Sequence, residues 1–196
     1  MLQALGLALA AVVGPAFLVV CAACAVLGIL YSHPLTRFKG RPWPSWLTVM
    51  FGQGVLGAIC GVVAMDGPRV TVELALGVGA AAAIVGAIYP LSQIFQLEED
   101  SRRGDRTVAM MLGRRGTPRV ASALFTLGAA LMAVAAWRES RFVECVLFVL
   151  APLPLSVGAM WACRPTNDRA IFRRVAMFQI IASSTFGAYA LVRLFA

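Results

Sequence analysis

Six apolar runs divide this chain between them, each long enough for the ~20 residues that a helix needs to cross a bilayer. They extend about from Leu5 to Leu30, Trp46 to Met65, Thr71 to Leu97, Arg119 to Trp137, Phe142 to Cys163 and Phe172 to Phe195. A helix satisfies its own backbone groups where hydrocarbon offers no partner, so each run is read as a transmembrane helix. The expected fold class is all-α: a polytopic membrane bundle of six helices, with residues 1–196 forming one domain. Composition agrees. Charged residues make up 13% of the chain, against roughly 25% in soluble domains, and the mean hydropathy is +0.83.

The cations set an orientation. The loops after the first, third and fifth runs hold thirteen Lys and Arg residues, while the opposite side has Arg69, Arg138, Arg141 and Arg193. The positive-inside rule places the three rich loops in the cytoplasm and both termini outside. This distribution also explains the net charge of +8 as loop anchors, so no nucleic-acid partner is expected. Pro15, Pro90, Pro152 and Pro154 lie inside runs and predict kinks rather than ends, because partner helices can satisfy the freed carbonyls. Gly54, Gly57 and Gly61 in the second run and Gly77 and Gly79 in the third permit close helix approach, Gly57 and Gly61 forming a literal small-xxx-small pair.

Several familiar chemistries find no support. Cys21, Cys24, Cys60, Cys145 and Cys163 mostly lie within apolar runs beside a single histidine, His33, and read as small packing residues rather than zinc ligands. No basic residue precedes Arg37, and the first run exceeds the ~7 to 15 residue core of a secretory signal. Nothing places a nucleophile beside His33. Asn167, Asp168 and Arg169 form a weaker polar group, equally explained by capping the helix that follows, and Glu73 and Glu144 are most simply interfacial residues.

The chemistry gathers instead in Gln96 to Thr107, QLEEDSRRGDRT, at the end of the third run. If the helix continues, Tyr89, Gln93, Gln96 and Asp100 are spaced 4, 3 and 4 apart and share one stripe running down to the cytoplasmic surface. Gly104 permits a bend that returns Asp105 toward Asp100, and two such carboxylates suit Mg²⁺, which binds hard oxygens and bridges to phosphates. Arg102, Arg103 and Arg106 can meet further phosphate charge. The same residues read equally as a self-neutralising loop anchored at the headgroups. In the first rich loop, Tyr31 to Pro42, a tyrosine at a helix end is joined to Arg37, Lys39 and Arg41 in a proline-stiffened turn suited to an anion, or to an interfacial belt with Trp43 and Trp46. A transporter would use Gln93, Gln96 and the acids as a solute path, but the charges gather at one surface rather than at the midplane.

Together the two loops resemble the UbiA superfamily of intramembrane prenyltransferases. Tyr31 to Pro42 looks like its Tyr…Arg/Lys loop. Asp100, Gly104 and Thr107 fall on its second acidic motif, DxxxDxxxGxxT, with Leu112 and Gly113 continuing the ending. The resemblance implies an integral membrane enzyme of the bacterial inner (plasma) membrane that ionises an isoprenoid diphosphate with Mg²⁺ and passes the isoprenyl group to a lipophilic or aromatic acceptor. On it, Asp100 and Asp105 are metal ligands supported by Gln96 and Glu99. Tyr31, Arg37 and Lys39 act on the diphosphate, and Gln93, Arg102, Arg103 and Arg106 bind substrate. The pattern departs at Gln96, where the motif has an aspartate, and in the family's first motif, NDxxDxxxD, which this sequence lacks. Six helices with an outside amino terminus correspond to a family member without its first three. That leaves open a start codon placed too late, a membrane protein partner that supplies the missing part, or a non-catalytic homologue that binds isoprenoid lipid or a membrane partner.

Overall fold

The computed structural model describes residues 2–65 and 70–195, so Arg69, counted above among the opposite side's cations, lies outside the described residues. Its helices are α1 (Leu2–Val13), α2 (Pro15–Ser32), α3 (Pro42–Val49), a π-helical segment (Met50–Leu56), α4 (Gly57–Met65), α5 (Val72–Leu91), α6 (Leu97–Arg102), α7 (Val108–Arg138), α8 (Phe142–Leu150), α9 (Pro152–Ala162) and α10 (Asp168–Phe195). Among the described residues six helical stretches are long and apolar enough to cross a membrane: α2, α3 through α4, α5, α7, α8 with α9, and α10. The chain is an all-α integral membrane protein.

The prolines behave in two ways, and two of the expected kinks are corrected to ends. The first run divides at Gly14, whose φ is 154°, and Pro15 opens α2 at a helix position where a missing N–H removes no bond. Pro90 is the penultimate residue of α5. Lacking an N–H, it leaves the Gly86 carbonyl without its donor four residues on, and the Trp46 indole Nε1–H from α3 donates to that oxygen at 2.8 Å. Between α8 and α9 the outcome is a kink. Ala151 keeps helical angles, and Pro152 and Pro154 occupy a first turn whose N–H groups would be unpaired in any case.

The bundle is centred on α5 against α7, its most extensive helix pair. Ala80, Ala83 and Ala87 of α5 and Ala121, Ala129 and Ala133 of α7 are buried at spacings of three, four and eight residues, one face of a helix in each case. Small side chains bring helices close where no hydrophobic effect drives them together. A second layer, α9 and α10, completes a core of Leu91, Ile94, Phe125, Ala159, Ile171 and Phe178, with the Phe125 and Phe178 rings edge to face at 6.0 Å. Large apolar side chains such as Val143, Val146 and Leu150 remain outside, where lipid solvates them. Of the glycines singled out by sequence, Gly54 makes a backbone contact: a Cβ there would lie 2.5 Å from Ala82 Cα. A Cβ on Gly57 would reach only Gly52 O at 3.9 Å, and one on Gly61 nothing within 4 Å. Among the described residues that literal small-xxx-small pair makes no helix-packing contact.

Charges separate to the two ends. At one, Glu73 pairs with Arg138 at 2.8 Å and Glu144 with Arg193 at 3.3 Å, and the Tyr189 hydroxyl donates to Glu144 at 2.6 Å. At the other, Arg37 reaches Asp105 and Arg114 reaches Asp168, both at 2.9 Å. The three cation-rich loops therefore share one end of the bundle.

Candidate functional site

The segment between α5 and α7 is built by side chains that replace absent backbone partners. After Pro90 the chain does not continue as one helix, so Tyr89, Gln93, Gln96 and Asp100 do not form the continuous stripe expected from their spacing. Gln93 N–H and Gln96 N–H close successive turns onto Pro90 O and Gln93 O, and α6 starts afresh at Leu97. Gln93 Oε1 accepts from the Ala109 N–H at 3.3 Å, and Thr107 Oγ1 accepts from Met110 N–H at 3.4 Å. Both thereby satisfy donors at the start of α7 that have no intrahelical partner.

Within this frame Gly104, at φ 72°, turns the chain, and the Asp105 N–H donates to Asp100 O at 3.0 Å. The two aspartates are thus brought together as the spacing predicted. Asp100 is 8% exposed. Burial pushes its carboxyl above its ordinary value, and the Asp105 charge pushes the same way; Arg103 opposes, Glu99 adds to the rise, and the Thr107 hydroxyl pulls it back. A pair of carboxylates that repel one another in a partly dry site is a fitting place for a cation.

The first loop closes onto this pair. Arg37 sits in the left-handed region at φ 39° and its Nη2 reaches Asp105 Oδ1, while the Arg106 N–H donates to Gly40 O at 3.1 Å. Gly40 had no sequence signal beyond its place in the loop, yet a Cβ there would lie 2.7 Å from Asp105 Oδ1. Tyr31, at the end of α2, shares a hydrogen bond of 3.0 Å with Tyr89 of α5. His33 Nδ1 accepts from the Leu35 N–H at 3.3 Å and serves the turn.

The remaining candidates lie further out. Glu98 and Glu99 are exposed and pair with Arg102 and Arg103 one turn on, so these four are self-neutralising along α6. Gln96 is exposed at the start of α6 and makes no capping bond there. Lys39 and Arg106 are exposed and carry no ion pair among the described residues. In the third rich loop Asn167 Oδ1 accepts from the Ala170 N–H at 2.8 Å, the capping role expected of it.

Below the tyrosine pair lies a cavity of about 670 Å³ between α2, the π-helical segment and α5, lined by Leu27, Tyr31, Thr48, Gln53, Ile88 and Tyr89 among others. Sequence reading missed Gln53, although an amide amid the apolar run Trp46 to Met65 was its signal.

A bundle of six spans with a paired-carboxylate loop, a cationic loop and an intramembrane cavity at one end defines a polytopic membrane protein with a built polar site. The chain belongs to the UbiA prenyltransferase family, whose model matches residues 1–181. Membership brings a prenyltransferase-type function in general, with isoprenoid diphosphate and lipophilic acceptor as the substrate classes and Mg²⁺ as the usual metal. No curated protein and no solved structure matches the chain.

Proposed function

We propose that this protein transfers an isoprenyl group from an isoprenoid diphosphate to an aromatic or quinone-precursor acceptor, as one domain whose motif loops face the cytoplasm. The observation that carries the reading is the closure of the first loop on the acidic pair, with Arg37 on Asp105 at 2.9 Å and Tyr31 at the mouth of the cavity. Asp100 and Asp105 are the residues that would hold Mg²⁺, which needs only one or two carboxylates when phosphates and water complete its shell. When bound, the ion offsets charge building on the departing diphosphate.

The chain's own groups do the rest. Lys39 and Arg106 would bind the diphosphate, and Arg37, held on Asp105 at 2.9 Å, would present its remaining N–H groups to a phosphate oxygen. Preorganised cations of this kind favour the state in which the allylic C–O bond has broken and its electron pair has left with diphosphate. The Tyr31 hydroxyl, oriented by Tyr89, donates to the leaving oxygen. The apolar walls keep water from the allylic cation, so that the acceptor carbon forms the new bond and then loses its proton. Gln96 and Glu99 are read as outer supports, and Gln93, Arg102 and Arg103 as holding the loop that carries the site.

Asp100→Asn is expected to abolish Mg²⁺-dependent prenyl transfer in isolated membranes; unchanged turnover would sink the assignment. A second reading, binding of isoprenoid lipid or a membrane partner without turnover, rests on Gln96, which stands where the family's motif has an aspartate and brings an amide in place of a charge. Diphosphate binding by wild-type membranes with no product formed identifies that case.

A further inference from the structure

We infer that Gln53 is a specificity-determining residue, and that the cavity beside it receives the acceptor by an oxygen substituent rather than the isoprenoid tail. The inference rests on the prenyl-transfer reading and assigns its acceptor pocket. Gln53 lies midway along the span that crosses as α3, the π-helical segment and α4. It lines the cavity, where its side chain is exposed, and its amide has no hydrogen-bond partner among the described residues. Polar side chains at membrane depth are costly and face a bundle interior or a cavity.

The local backbone explains how the amide comes to face that space. Residues Met50–Leu56 form a π-helical stretch, a geometry that is rare and concentrated at functional positions. Its two flanking glycines hold the segment against both neighbours. Gly54 backs directly onto Ala82 of α5, and a Cβ on Gly52 would meet Leu27 Cδ1 of α2 at 3.5 Å. A larger residue at Gly54 would part the segment from α5 and carry Gln53 away from the cavity.

The cavity chemistry then chooses its occupant. Its polar groups, Tyr31, Tyr89, Ser92, Thr48 and Gln53, are set among Leu27, Val49, Val85 and Ile88. From Cys24 to Tyr31 the lining of α2 runs two turns, roughly 10 Å at 1.5 Å per residue, enough for a ring system end to end. The exposed Gln53 amide is open to water when the cavity is empty. A ligand that displaces that water must replace its hydrogen bonds or lose affinity. An isoprenoid tail has nothing to offer. An aromatic acceptor bearing a hydroxyl or carbonyl has, and with that oxygen on Gln53 its opposite edge points toward the tyrosine pair and the diphosphate loops.

The test uses the full chain in lipid nanodiscs and equilibrium dialysis of two probes differing by one hydroxyl, naphthol and naphthalene, with empty nanodiscs subtracted. Wild type is expected to prefer naphthol by about tenfold, the net worth of one hydrogen bond to the amide. Gln53→Leu should bring the ratio near one, through weaker naphthol and tighter naphthalene binding, while Gln53→Asn should keep part of the preference. An unchanged ratio in Gln53→Leu, equal binding by wild type, or no saturable binding of either probe overturns the inference. Mg²⁺-dependent binding of inorganic diphosphate is measured on the same samples. Its loss in wild type marks failure of the prenyl-transfer reading, whereas its persistence beside a null naphthol result marks failure of the Gln53 assignment alone.

Discussion

Adding one methyl group to the first loop, by Gly40→Ala, tests whether Asp105 is a ligand without altering any candidate ligand. Gly40 has no positive φ, so alanine brings no backbone strain. The new Cβ would lie 2.7 Å from Asp105 Oδ1, and ordinary contact begins at 3.4 Å. The carboxylate must therefore shift by about that difference, which disturbs its contact with Arg37 Nη2. The cost to stability is small, because the Arg37 side chain is 51% exposed and exposed ion pairs are worth only ~0.2 to 1 kcal/mol. The cost to metal-dependent binding is larger, since displacing a ligand through its support typically loses about 10- to 100-fold in affinity. Calorimetric titration of inorganic diphosphate with Mg²⁺ into the nanodisc protein, paired with a thermal melt, separates the two. Affinity within about twofold of wild type would refute the placement of Asp105 in the metal site. A stability loss above about 2 kcal/mol would show that Gly40 serves folding instead.

Asp100→Asn carries a second expectation, because folding raises the pKa of that carboxyl. The fold favours the protonated form, so stability from this group is present below the ordinary carboxylate range and is lost as pH rises through the raised value. The variant should therefore melt higher than wild type near neutrality and show no such advantage at about pH 3; a lower melting point at neutral pH would contradict the reasoning. Gly54→Ala, pressed onto the backbone of Ala82, should cost about 1 to 3 kcal/mol in denaturant titrations in mixed micelles, whereas Gly61→Ala, with open space around it, should stay within about 1 kcal/mol of wild type. Trp46→Phe removes the donor to Gly86 O and should cost about 1 to 3 kcal/mol for the carbonyl left unpaired. That cost should shrink in a Pro90→Ala background, where residue 90 regains an N–H for the same oxygen, and a double-mutant cycle without coupling would dismiss the link.

The number and rough places of the membrane spans were legible because hydropathy over ~20 residues is a local property. Helix ends were less so. The third run was read through to Leu97, yet α5 stops at Leu91, since apolar Ile94 and Phe95 continue the hydropathy signal while the backbone has already turned. Ile94 is fully buried in the core, so its side chain carries information about packing and none about helicity. The Asp100 to Asp105 approach was legible for the opposite reason: Gly104 between them needs only a positive φ, a local event. The residues placed around it were not, because Gly40 lies in the first loop, Gln53 in the π-helical segment and Tyr89 in α5, and their positions depend on how those elements pack.

Backbone accounting narrows that gap. Pro90 announces in sequence that Gly86 O lacks its helical donor, and in hydrocarbon such a group must find another. What the sequence leaves open is the donor, which the packing of α3 on α5 supplies as Trp46. The same logic applies past the end of α5: the first N–H groups of α7 need acceptors, and Thr107 and Gln93 provide two. Once Gln93 is spent on Ala109, it is fixed as a brace between the two central helices, and the loop bearing Asp100 and Asp105 is held at both ends. A polar residue near a proline at a membrane surface should therefore be asked first which orphaned backbone group it satisfies. Those left over after that accounting, here Tyr31, Asp100, Asp105 and the unpartnered Gln53, are the ones to which chemistry is assigned.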